Sequence, residues 1–215
     1  MVKAAILEPN RKYNFSDYFK LDFDSEAILD YFGFGLEIQR MALPKAQLDS
    51  SEVTSLTQRI DAFLPHITLS SEIARREFLI APVLMDLIRF ISLKVKVSYW
   101  IEVSEQLRGA LDYYLQAESN LLVIEAKDEN LQRGFTQLAV ELIALHHWTE
   151  VNTSYLYGAV SIGNVWQFSR CDRQNQVITQ DLNLYRVPAD LAELVSILVG
   201  ILKGLDSDTL PDQIS

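Results

Sequence analysis

Leu121-Leu122-Val123-Ile124-Glu125-Ala126-Lys127 is the stretch on which the fold turns. Alternate side chains of a strand point to opposite faces, so Leu122, Ile124 and Ala126 share one face and Leu121, Val123, Glu125 and Lys127 the other. An apolar strand that ends in an acid and a lysine two positions apart aims both groups at one spot. Burying them is unfavourable unless they are paired, hydrated or holding a metal.

Immediately upstream, Leu111-Asp112-Tyr113-Tyr114-Leu115 sets a second acid inside an apolar strand. Strands are expected over residues 109–116 and 120–127, joined by a turn at Ala117-Glu118-Ser119-Asn120. If the two are hairpin neighbours, Asp112 and Glu125 converge on one divalent cation. Carboxylate oxygens and water suit Mg²⁺ or Mn²⁺. Lys127 can then orient a water or balance charge building on a phosphate.

Working outward, Val95, Val97, Tyr99, Ile101 and Val103 alternate with Lys96, Ser98, Trp100 and Glu102, the rhythm of another strand. A helix is expected from about Asn130 to His146, with Phe135, Leu138, Leu142 and Leu145 on one stripe. Residues 155–161 and 165–170 form a hairpin around Gly163-Asn164, and 177–181 a further strand. Upstream, Ser51 caps a helix to about Leu64, and Ser70 or Ser71 caps a second that Pro82 kinks or splits. Pro188 fits the first turn of a final helix. The segment before Asp49 is aromatic-rich; Gly33-Phe34-Gly35 and Pro44 argue against one long helix there, and residues 35–43 read as a short strand with Leu36, Ile38 and Arg40 on one face. This order predicts an α/β fold, a central mixed β-sheet flanked by helices.

The ordered set Asp112, then Glu125-Ala126-Lys127, resembles the PD-(D/E)XK nuclease superfamily, whose signature is an Asp near the end of one strand and an acid-x-Lys in the next. The 13-residue spacing is similar to that family's hairpin; Leu111 stands where the family's strict motif has proline. Gly134-Phe135-Thr136-Gln137, followed by Glu141, is similar to the family's next helix, in which many members carry a Gln facing the site. Glu72-Ile73-Ala74-Arg75-Arg76 through Leu79-Ile80-Ala81-Pro82 resembles its first core helix. The resemblance spans roughly residues 71–170.

It implies a restriction-endonuclease-like core over residues 51–215, with residues 1–50 packed on it as an N-terminal segment. It implies a Mg²⁺- or Mn²⁺-dependent nuclease acting on DNA. Asp112 and Glu125 would bind metal, with Glu72 as an accessory ligand and Glu77 the competing choice. Lys127 would assist the attacking water, and Gln137 would contact that water or the nucleic acid. The rival expectation is a catalytically silent protein of this fold that acts as a regulatory or binding subunit.

Bulk properties bound these readings. At 215 residues, 49% hydrophobic and 22% charged, the chain can build a core without disulfides. The formal charge of −10 opposes tight, non-specific binding of nucleic acid in the absence of metal. Lone Cys171 suits a reducing compartment and a structural role. No signal-peptide pattern is apparent, and the apolar run 191–202 contains Glu193 and is too short to span a bilayer, so a cytoplasmic protein is expected and no membrane partner. That run is apolar around most of its circumference, and is buried either in its own domain or against a homodimer or other protein partner. Adjacent His146 and His147 face different directions on a helix and do not make a zinc site. The N-terminal aromatics read as core rather than as a stacking platform for bases.

Overall fold

Four large apolar side chains in a row, Leu121 to Ile124, require a strand covered on both faces. The computed structural model describes residues 6–206 apart from 9, 119, 128 and 129, and in it this strand lies inside the sheet. The elements in chain order are α1 (Phe15–Tyr18), α2 (Ser25–Tyr31), β1 (Gly35–Gln39), α3 (Ser50–Phe63) and α4 (Glu72–Arg75). A π-turn (Arg76–Ile80) leads into α5 (Ala81–Asp86). Then come β2 (Lys94–Glu102), β3 (Arg108–Ala117), β4 (Asn120–Ala126), α6 (Leu131–Trp148), β5 (Tyr155–Ser161), β6 (Val165–Asp172), β7 (Val177–Asp181), β8 (Tyr185–Arg186) and α7 (Leu191–Leu202).

The strands form one mixed sheet in the order β1-β7-β6-β5-β4-β3-β2, with β8 pairing on β6. The β1–β7 and β4–β5 pairs are parallel and the others antiparallel. Helices cover both faces. On one, α3, α5 and α7 pack over Leu122, Ile124, Ala126, Ala159 and Phe168. On the other, α6 packs over Leu121, Val123 and Val160, together with the N-terminal Tyr13, Phe15, Tyr18, Ile28 and Leu29. The predicted division of the 121–127 stretch between two faces is thus the division between two cores. Among the described residues no helix is long and apolar enough to cross a membrane.

Several boundaries differ from the sequence reading for physical reasons. Asp49, not Ser51, caps α3: its carboxylate accepts from the Ser51 N–H at 2.8 Å. Pro82 does split its helix, and the split takes the form of a π-turn. The Ala81 N–H bonds to the Arg76 carbonyl five residues back, just ahead of a proline that has no N–H to give. Pro188 lies before α7 rather than within it; Asp190 is the N-cap, and its carboxylate receives the Arg186 backbone N–H at 2.9 Å and the guanidinium at 2.8 and 3.1 Å. Strand β1 stops at Gln39, and Ile38 on this sheet edge is exposed. Ala117 pairs with Asn120, so the predicted turn is in place, although its Ser119 lies outside the described residues, as do 1–5 and 207–215.

Candidate active site at the open end of the β3–β4 hairpin

Away from the turn, the β3–β4 ladder ends at the pair Tyr113–Ile124. Beyond it the strands are joined by a side chain: Asp112 Oδ2 accepts the Ala126 N–H at 2.9 Å. The β2–β3 ladder loosens at the same level. Val97 pairs with Tyr113 and Tyr99 with Leu111, but no rung joins Ser98 to Asp112, and Ser98 has φ +50°. Both strands change faces here. Tyr113 and Leu115 belong to the core under α7, whereas Leu111 belongs to the core under α6; Val95 and Tyr99 divide in the same way. Asp112 sits at this crossover, with its side chain 18% exposed.

Glu125 is on the α6 face and almost fully buried. Lys127, one residue past β4, is fixed by its N–H to the Ser161 carbonyl at 2.8 Å and turns its ammonium onto Glu125 Oε1. Helix α6 can come this close because Gly134 faces the strands. A Cβ there would lie 2.6 Å from Val160 Cγ2 and 3.2 Å from Lys127 Cγ. Its first turn starts at Asn130 (φ 57°), whose side chain accepts the Arg133 N–H at 3.1 Å.

From α6, Gln137 Nε2 donates to Glu125 Oε1 at 2.6 Å and to Glu141 Oε1 at 3.0 Å. Both amide protons are thereby used, and Gln137 Oε1 is left as a buried acceptor with no partner, as are Glu125 Oε2 and Glu141 Oε2. Burial pushes the Glu125 carboxyl well above its ordinary value, and Glu141 and Asp112 push it further. Burial likewise raises Glu141 to about 7, against the pull of its bonds with Gln137 and Glu125. For Lys127 burial acts downward, but the carboxylates of Glu125, Asp112 and Glu141 hold it above its ordinary value, so it stays charged.

Asp112 Oδ1 accepts from Arg76 Nη1 at 3.0 Å. Arg76 also lies 3.8 Å from Glu72 Oε1 and 5.1 Å above the Tyr113 ring. Of the residues singled out in the sequence, the structure brings together Asp112, Glu125, Lys127 and Gln137. Glu72 reaches the same corner through Arg76, while Glu77 is exposed. Two participants had no assigned role. Glu141 could have been found as the lone acid on an otherwise apolar stripe four residues after Gln137, and Arg76 as the basic residue four after Glu72.

Among the described residues no three acid, histidine or cysteine side chains are grouped to hold a metal ion by themselves. The corner does fit an oxygen-seeking cation that keeps part of its water shell. It holds hard carboxylate and amide oxygens, three of them buried acceptors without partners, and acids whose raised pKa values a nearby positive charge would bring down. His146 and His147 meet the Phe34 ring edge-on well along α6, and burial pushes the Cys171 thiol up to about 12, so that thiol is not poised for chemistry. No family model, curated protein or solved structure matches the chain.

Proposed function

We propose that this chain is a metal-dependent nuclease of the PD-(D/E)XK type, hydrolysing phosphodiester bonds in DNA. One observation carries the reading: where the β3–β4 ladder opens, Asp112 meets the Glu125-x-Lys127 strand end, and Gln137 bonds to Glu125 from the next helix. Asp112 and Glu125 would hold Mg²⁺ or Mn²⁺, with Glu72 as the accessory acid. A bound divalent cation supplies charge stabilisation for the phosphate and a water of lowered pKa.

The chain's own groups do the rest. Lys127, charged and 11% exposed, balances negative charge on the phosphate oxygens and orients the attacking water. Gln137 has spent both N–H groups on acids, so it can only accept; its Oε1 takes a hydrogen bond from that water and aligns it. Asp112 and Lys127, with side chains 18% and 11% exposed, mark the partly open edge from which a phosphate backbone would approach.

The test is calorimetric titration of Mn²⁺ into the wild type and into Asp112→Ala plus Glu125→Ala, with plasmid and single-strand cleavage assayed on the same samples. Binding and metal-dependent cleavage that both vanish in the double variant are the expected result. Equal heats from the two proteins would sink the metal site. A second reading, a silent protein of this fold, is favoured by one feature: Asp112 and Glu125 each already carry a protein cation, Arg76 and Lys127. Saturable Mn²⁺ binding with no cleavage of either DNA form would move the conclusion to that reading.

A further inference from the structure

Arg76 occupies a peculiar position. It stands between two acids, 3.0 Å from Asp112 Oδ1 and 3.8 Å from Glu72 Oε1, and both are proposed metal ligands. The other Asp112 oxygen is engaged by the Ala126 N–H. Each Asp112 oxygen thus already accepts one hydrogen bond, and a cation must share these oxygens with Arg76 or displace it. A guanidinium and a divalent ion on the same carboxylate repel one another, so each weakens the other's hold.

The surroundings allow the exchange. Arg76 opens the π-turn, a wider turn common at functional sites. Its neighbour Arg75 pins the segment instead: Arg75 Nη1 donates to the Ile162 carbonyl at 2.9 Å, and its stem packs on Gly163 in the β5–β6 turn. With the backbone held by Arg75, Arg76 can change partners by side-chain rotation alone. It is 20% exposed and rests over the Tyr113 ring at 5.1 Å, beside the rim of the site.

We infer that Arg76 is an exchangeable counter-ion. It holds Asp112 and Glu72 closed in the metal-free protein, is expelled when a divalent cation binds, and then grips the DNA phosphate that enters with the cation. The inference rests on the proposed metal site and adds its regulation: metal loading and phosphate binding are coupled through one side chain. A planar guanidinium suits both states, since it matches carboxylate and phosphate oxygens equally well.

The experiment is Mn²⁺ calorimetry on the wild type, Arg76→Gln and Arg76→Lys, with circular dichroism to confirm the fold and steady-state cleavage of a labelled duplex. Arg76→Gln should bind Mn²⁺ on the order of tenfold tighter than wild type, since one charge-assisted hydrogen bond no longer competes. It should at the same time raise KM for DNA. Arg76→Lys, a point charge without the fork, should bind Mn²⁺ with intermediate affinity. A purely structural arginine predicts the opposite sign: weaker metal binding in a loosened site. If the wild type binds Mn²⁺ and folded Arg76→Gln binds it no tighter, the exchange idea is overturned and the nuclease reading survives. If Arg76→Gln does not fold, Arg76→Lys binding no tighter than wild type overturns it equally. No Mn²⁺ binding by the wild type overturns both.

Discussion

Helices α6 and α7 are both buried against the same sheet, on opposite faces, yet they are built differently. The inward positions of α7 are Leu191, Leu194, Val195, Ile197, Leu198 and Ile201, with no polar side chain among its buried residues. It lies so close to the Pro44 segment that a Cβ on Gly200 would be 2.5 Å from the Pro44 carbonyl oxygen. Helix α6 buries Thr136, Gln137 and Glu141 among its leucines and leaves acceptors unpartnered there. One helix is apolar filling that stabilises the sheet. The other gives up some of that stabilisation to place an amide and an acid against Glu125. The proposed site lies on the side where burial is electrostatically uncomfortable.

Substitutions at four positions sharpen or break this contrast. Leu198→Ala, in the apolar layer, should cost about 3–4 kcal/mol of stability by denaturant unfolding; the folded fraction should bind Mn²⁺ as wild type does, and a lost site would show that α7 also shapes the corner. Gly200→Ala should cost about 2–3 kcal/mol, because the added methyl meets backbone that cannot swing aside. A neutral result would mean that the α7–Pro44 approach is loose.

On α6 the sign reverses. Glu141 has its folded pKa raised from 4.5 to about 7, so the folded state holds a proton the unfolded chain has released. Its contribution to stability is full below about pH 4.5 and is lost as pH rises to about 7. Glu141→Gln should flatten that fall and leave the variant about 1–2 kcal/mol more stable than wild type at pH 8. Thermal unfolding at pH 5 and pH 8 measures it, and an unchanged slope would remove Glu141 from the account. Smallest is the helix start: Asn130→Ala should cost about 1 kcal/mol and Asn130→Gly only a few tenths, since glycine accepts the left-handed backbone found there. Equal losses in the two would show that the left-handed backbone at this position adds no cost of its own.

The sheet and helix α6 were legible because period and burial agree in them: residues 121–127 divide by alternation, and 135, 138, 142 and 145 by helical spacing. Glu125 and the three residues around it, Asp112, Lys127 and Gln137, were legible as an ordered motif. What escaped is what side-chain type does not encode. Val97 and Tyr99 are both large and apolar, so alternation continues on paper through Ser98 while the backbone turns over. The π-turn leaves only Pro82 as a trace. In the doublet Arg75-Arg76 the spacing of four links Arg76 to Glu72, but nothing in the sequence says that Asp112, 36 residues on, is its other partner. Glu141 is visible as an acid on an apolar stripe, but the sequence does not say that the Gln137 amide bridges it to Glu125.

One rung of the sheet has a spectroscopic consequence. The Ala126 N–H is bonded to a carboxylate oxygen rather than to a peptide carbonyl, and that carboxylate is also the one Arg76 holds. Its amide resonance therefore senses the charge on Asp112 directly, through a single hydrogen bond. In an isotope-labelled sample this peak would move with each change of partner at Asp112, a reporter already written into the backbone that needs no added probe.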